Sequence, residues 1–165
     1  LKQEDLKMMP ALEKKNHMGI LVVDDDPNEM RSLVIGLRLE GFDAVGAPGG
    51  TEAMTMLRDG NYCAVLIDLM MPEINGLQLA RSIRASYPLM TTILMSAYHL
   101  SPIQLARADT GVVGFVPKPF CFDELVRFIQ SKVDPDGPRK VTHGTVPGTG
   151  LNMPIDVQNA VNPPE

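Results

Sequence analysis

Tryptophan is absent, and only two cysteines occur in 165 residues. Cys63 and Cys121 lie far apart with no CxxC or Cys/His spacing, so neither a disulfide framework nor a zinc site is expected, and a reducing cytoplasmic setting fits. No apolar run approaches the ~18 residues of a membrane span. A basic segment followed by an apolar stretch and a small-residue cleavage site is also missing, which leaves secretion without support. Excess positive charge is lacking too: 15 Lys and Arg against 20 Asp and Glu leave a formal charge of −5. That balance argues against a surface built to hold nucleic acid, and neither nucleic acid nor membrane is an expected partner. The length suits one domain of ordinary size, so a DNA-binding role would need a further domain. The first residue is Leu rather than Met, as expected of a chain processed or cut from something longer.

What is present divides the chain into three. Residues 1–17 carry four Lys and three acids around a few apolar positions, with Pro10 to break a helix, and read as an N-terminal linker. Residues 134–165 hold six Pro and four Gly with no periodic apolar face. They read as a Pro/Gly-rich disordered C-terminal tail that stays flexible. Between them, residues 18–133 have nine basic and thirteen acidic side chains and carry the folded domain.

In that segment short apolar runs alternate with helical patterns. Strands are expected at Ile20–Val23, Ala44–Ala47, Ala64–Ile67, Thr92–Met95 and Gly114–Val116. Helices are expected from Pro27 to near Gly41, over Thr51–Arg58 with Gly60 as C-cap, over Leu77–Ala85, after Pro102, and over Asp123–Ser131. Five β/α pairs with continuous apolar strands imply an α/β fold, a parallel sheet covered by helices on both faces. Ligands of such sheets sit beyond the carboxyl ends of the strands. Asp24, Asp25 and Asp26 follow the first strand, Asp68 the third, Ser96 the fourth and Lys118 the fifth. Carboxylates gathered so closely repel one another unless a cation joins them, and an oxygen-only set without His or Cys suits Mg²⁺.

Four stretches carry a family resemblance: ILVVDDDP at 20–27, LIDLMMPEINGL at 66–77, ILMSA at 93–97 and GFVPKPF at 114–120. In this order and spacing the chain resembles the receiver domains of two-component response regulators from Gly19 to about Ser131. The resemblance implies a doubly wound, flavodoxin-like (βα)5 fold with strand order 2-1-3-4-5. It implies Asp68 as phosphoacceptor and Asp24, Asp25, Asp68 and the backbone carbonyl of Met70 as the Mg²⁺ site. Lys118 matches the family's lysine, Ser96 its hydroxyl and Phe115 its switch aromatic. The Lys118–Pro119 peptide is expected to be cis. Met70 and Tyr98 match positions that tune how fast the phosphoryl group is lost. The implied partners are a sensor histidine kinase or phosphotransfer protein upstream and a protein target downstream.

Plainer readings compete residue by residue. An acidic triplet before Pro is commonly a solvated turn, and Asp26 keeps that role as N-cap of the Pro27 helix. A lysine between two prolines is usually exposed, and a strand aromatic such as Phe115 is usually core. Asp24-x-Asp26 is also similar to the aspartyl-phosphate phosphatases, with Asp24 as nucleophile and Asp26 as acid/base, although Asn28 stands where that motif has Thr or Val. The fourth-helix region is poor in paired charges, which disfavours dimerisation through that face. Output is expected through Ile103, Leu105, Arg107, Glu124 and Arg127, beside Phe115 and Lys118.

Overall fold

The computed structural model describes residues 19–98, 100–133 and 154–156. Chain order is β1 (Gly19–Val23), α1 (Pro27–Leu39), β2 (Ala44–Ala47), α2 (Gly50–Asp59), β3 (Tyr62–Asp68), α3 (Gly76–Ser86), β4 (Thr91–Ser96), α4 (Pro102–Arg107), β5 (Gly114–Pro117), α5 (Phe122–Val133) and β6 (Ile155–Asp156). The first five strands are parallel in the order 2-1-3-4-5, and β6 adds an antiparallel sixth at the β5 edge.

Alternation along each strand builds two cores. Leu21, Val23, Val65, Ile67, Leu94 and Phe115 share one cluster with Leu57 of α2, Leu79 and Ile83 of α3, and Leu105 of α4. Ile20, Val22, Leu66, Met95 and Val116 share the other with Leu33 and Leu37 of α1 and Leu125 and Ile129 of α5. Being covered on both faces explains why the strands read as unbroken apolar runs. Truncating a central side chain such as Leu66 to Ala would cost about 2–5 kcal/mol.

Parallel topology places every strand-to-helix connection at one end of the sheet and every helix-to-strand connection at the other. The acidic triplet, Asp68, Ser96 and Lys118 all fall at the first end. Asp26 caps α1 there, its Oδ1 accepting from the amides of Asn28 (2.8 Å) and Glu29 (3.1 Å), with Pro27 in the first turn. These two bonds hold its carboxyl pKa below the ordinary value. Asp26→Ala is therefore expected to lower the thermal midpoint by a few degrees at pH 7. A depressed pKa contributes stability above the unfolded-state value and loses it as pH falls through the folded one, so parent and variant should converge in acid. Melting curves between pH 2 and 7 check this, and a pH-independent gap would remove the charged cap from the explanation.

Two expectations meet corrections. The linker at 1–17 and most of the 134–165 tail lie outside the described residues, but Ile155 and Asp156 form β6 rather than disorder. Their composition gives no periodic signal because two residues suffice to pair with an open strand edge. Leu105, expected at the output surface, is buried in the core under α4, while Ile103 and Arg107 on that helix are exposed.

Candidate functional site

The site is assembled by the carboxyl ends of β1, β3, β4 and β5. Asp68 closes β3 and is nearly buried. Its Oδ2 accepts from the Met70 amide and its Oδ1 from Lys118 Nζ, each at 2.7 Å. Both oxygens are thus oriented by groups from two different connections.

The turn after Asp68 is tied to α3 by close backbone contact. A Cβ on Gly76 would lie 2.5 Å from the Asp68 carbonyl oxygen and 2.8 Å from Leu69 Cα, so only glycine fits there. Asn75 and Gln78 make a reciprocal capping box, and the Gly76 amide donates to the Leu69 carbonyl at 3.0 Å. The turn after Asp68 therefore rests on the first turn of a well-capped helix.

Asp24 is 2% exposed; its carboxylate accepts from the Asp26 amide at 2.9 Å and from Lys118 Nζ at 3.3 Å. Burial raises its pKa, against the lowering effects of that amide and of Lys118. Asp25 is exposed and makes no hydrogen bond or ion pair among the described residues. Lys118 is 18% exposed and reaches a third carboxylate, Glu29, at 2.6 Å. Burial alone would push the lysine pKa down, but hydrogen bonds to Asp68 and Glu29 and the charges of Asp24 and Asp68 outweigh it and push it up. One ammonium thus faces three carboxylates, with Asp25 adjacent in sequence. The local negative surplus and the all-oxygen donor set fit a divalent cation of the Mg²⁺ kind. Among the described residues no three carboxylate, His or Cys side chains are drawn together at ligand spacing, and Lys118 Nζ bonds both Asp24 and Asp68.

Ser96 ends β4 and is buried. Its Oγ accepts from the Tyr98 amide at 3.0 Å, and its carbonyl accepts from the Lys118 amide at 2.7 Å. The second bond ties the Ser96 strand end to the lysine turn, whose Lys118–Pro119 bond is cis as expected. Phe115 is fully buried beside Leu94 and Leu105. Met70 and Tyr98 have exposed side chains at the rim. The phosphatase alternative finds no support in this geometry, since the Asp26 carboxylate is engaged in capping α1 and directed to the Asn28 and Glu29 amides.

Glu29 was not singled out by its motif position, and its role is legible only from the fold. The helix that Asp26 starts carries it to the ammonium of Lys118, 89 residues away in sequence. At 54% exposure it forms a half-solvated pair that competes with any anion seeking the lysine. If Asp68 accepts a phosphoryl group, as the family resemblance implies, Glu29→Gln is expected to speed labelling by a small phosphodonor up to about fivefold, the equivalent of the ~1 kcal/mol of an exposed pair. Initial rates with acetyl phosphate test this; an unchanged or slower rate would show that the pair does not compete.

Comparison with known proteins agrees with this arrangement. The response regulator receiver domain family matches residues 20–130. The transcriptional regulatory protein YkoG of Bacillus subtilis is 31% identical over 132 residues, covering 80% of this chain and 57% of that protein. The DNA-binding response regulator MtrA of Mycolicibacterium smegmatis is 36% identical over 114 residues, covering 69% of this chain and 50% of the relative. The chain thus spans about half the length of these curated relatives. The structure of response regulator TrrA from Thermotoga maritima, solved in complex with Mg(2+)-BeF, superposes with a TM-score of 0.63 at 36% identity, covering 69% of this chain and 97% of that one. With the expected strand order, a matching family over most of its length, and acidic, hydroxyl and lysine residues converging at one sheet end, the chain belongs to the response regulator receiver domains of two-component signal transduction.

Proposed function

We propose that this receiver domain takes a phosphoryl group on Asp68 from a phosphohistidine of a sensor kinase or phosphotransfer protein. The observation that carries the reading is the Asp68 carboxylate at the end of β3, held by Lys118 Nζ and the Met70 amide with Asp24 beside it. In the transfer an Asp68 oxygen attacks phosphorus, a P–O bond forms, and the P–N bond to imidazole breaks. Lys118 exchanges a carboxylate for a phosphoryl oxygen, and the Ser96 hydroxyl donates to another. Asp24, Asp25, Asp68 and the Met70 carbonyl would hold Mg²⁺, which when bound neutralises charge on the phosphoryl oxygens. The domain catalyses only its own phosphorylation and dephosphorylation.

A mostly apolar cleft of roughly 520 Å³ opens beside Lys118 between Glu29, Ser32 and Leu33 of α1 and Pro119, Phe120 and Phe122. Its place at the site mouth suits it to receive the donor protein. Movement of Ser96 towards the acyl phosphate makes room for Phe115 to turn, altering the face made by α4, β5 and α5. Ile103 and Arg107 on α4 and Glu124 and Arg127 on α5 present that face to a downstream protein, and the acidic domain itself makes no contact with nucleic acid. No helix among the described residues is long and apolar enough to cross a membrane, and a cytoplasmic setting is the one we propose.

Intact-mass and peptide mass spectrometry after incubation with acetyl phosphate and Mg²⁺ tests the reading. One added phosphoryl group on the peptide holding Asp68, absent when Mg²⁺ is chelated, is the expected result. An unlabelled Asp68, or a label on Asp24, would overturn it. In a separate titration that needs no phosphodonor, Asp25→Ala is expected to weaken Mg²⁺ binding about tenfold or more, as loss of a direct carboxylate ligand should. Unchanged affinity would remove Asp25 from the metal site.

A further inference from the structure

The outer edge of β5 is not open. Gly114 pairs with Asp156 and Phe115 with Ile155 in antiparallel register, although the chain between α5 and this pair runs through residues 134–153. The same segment also borders a second element: Pro154 lines a cleft of roughly 440 Å³ together with Glu124, Arg127 and Phe128 of α5. Glu124 Oε2 is buried there without a hydrogen-bond partner among the described residues. The strand pairing and the shared cleft together place this segment at the face that the proposed function assigns to the downstream partner.

We propose that Pro154–Asp156 is an intramolecular strap that closes the β5 edge in the unphosphorylated domain and leaves it when Asp68 is phosphorylated. The inference rests on the proposed role of the α4, β5 and α5 face. An exposed edge strand offers a row of unpaired amides and carbonyls, and an added strand satisfies them through backbone bonds. Tethering supplies that strand at an effective concentration on the order of millimolar, enough to favour a weak contact without new side-chain chemistry. A two-residue pair is short enough to be displaced. It also lies at Phe115, so a turn of that side chain or a shift of β5 acts directly on the register that holds the strap.

Amide hydrogen exchange by NMR on the full chain tests this through whichever of the Gly114 and Phe115 amides faces the outer edge. In the metal-free parent that amide should exchange at least about tenfold more slowly than in Ile155→Pro, which removes a strand N–H. The protection should survive a twentyfold dilution. Loading the parent with beryllofluoride and Mg²⁺, to mimic the acyl phosphate, should bring its rate to that of Ile155→Pro. Equal rates in parent and variant without metal would overturn the strap. Loss of protection on dilution would overturn the intramolecular arrangement in favour of a strand from a second copy. Protection unaffected by beryllofluoride would overturn release. Labelling of Asp68 in the same preparations is read separately, so an unlabelled Asp68 defeats the phosphoacceptor reading while the metal-free comparison still decides whether the strap exists.

Discussion

Asp68→Asn is expected to abolish labelling by acetyl phosphate, to below about a thousandth of the parent rate, because the amide oxygen is a far weaker nucleophile than the carboxylate. The fold should persist. Asparagine keeps one oxygen, which can accept from the Met70 amide, and although Lys118 loses its acceptor on residue 68 it retains Asp24 at 3.3 Å and Glu29 at 2.6 Å. Circular dichroism and intact mass, measured on the same sample, separate lost chemistry from lost structure. Labelling that survived in Asp68→Asn but vanished in Asp24→Asn would transfer the nucleophile to Asp24.

The second large effect is on stability. Lys118→Met removes the ammonium that pairs with nearly buried Asp24 and Asp68. Breaking such a cluster on one side leaves carboxylates uncompensated in a poorly solvated place, at a cost of about 3 kcal/mol near neutral pH. The cost should shrink in acid. Asp24 already has a raised pKa from burial, and losing its cation raises it further. A carboxyl whose folded pKa lies above its unfolded value destabilises the fold as pH rises through that interval, and protonation below it removes the penalty. Urea titrations at pH 7 and pH 4 without metal should show a gap from the parent that narrows at the lower pH. A gap of equal size at both would mean that lost packing of the lysine stem, not charge, sets the cost.

Periodicity made the five β/α pairs readable because every strand is buried on both faces and each helix has one apolar stripe. Strand ends lie within one or two residues of those expected; β3 begins at Tyr62 rather than Ala64, its first two residues, Tyr62 and Cys63, being only partly buried against the cores. Charge clustering at strand ends likewise brought Asp24, Asp68, Ser96 and Lys118 to one place. Three features escaped for physical reasons. Glu29 meets Lys118 only through the direction of α1, which no local pattern encodes. Gly76 looks like an ordinary helix-start glycine until the backbone of Asp68 and Leu69 is seen against it. β6 is a response to an edge, and edges exist only once a sheet is assembled.

The separation of the two sheet ends also matters for protein engineering. Strand-to-helix turns are committed to the site, and Gly76 packs its backbone against that of Asp68 and Leu69, so the close of that turn has no space for an added residue. At the opposite end the α3–β4 connection is tied by the Tyr87 amide to the Ile83 carbonyl and by the Met90 amide to the Tyr87 carbonyl, while Leu89 at its tip is 97% exposed. Inserting a fluorescent reporter at Leu89 should leave Asp68 chemistry intact, because exposed loop tips tolerate insertion while buried backbone does not. The same insertion directly before Gly76, where backbone meets the backbone of Asp68 and Leu69, should silence the domain. A receiver of this design can therefore carry a sensor on its far end without losing its input.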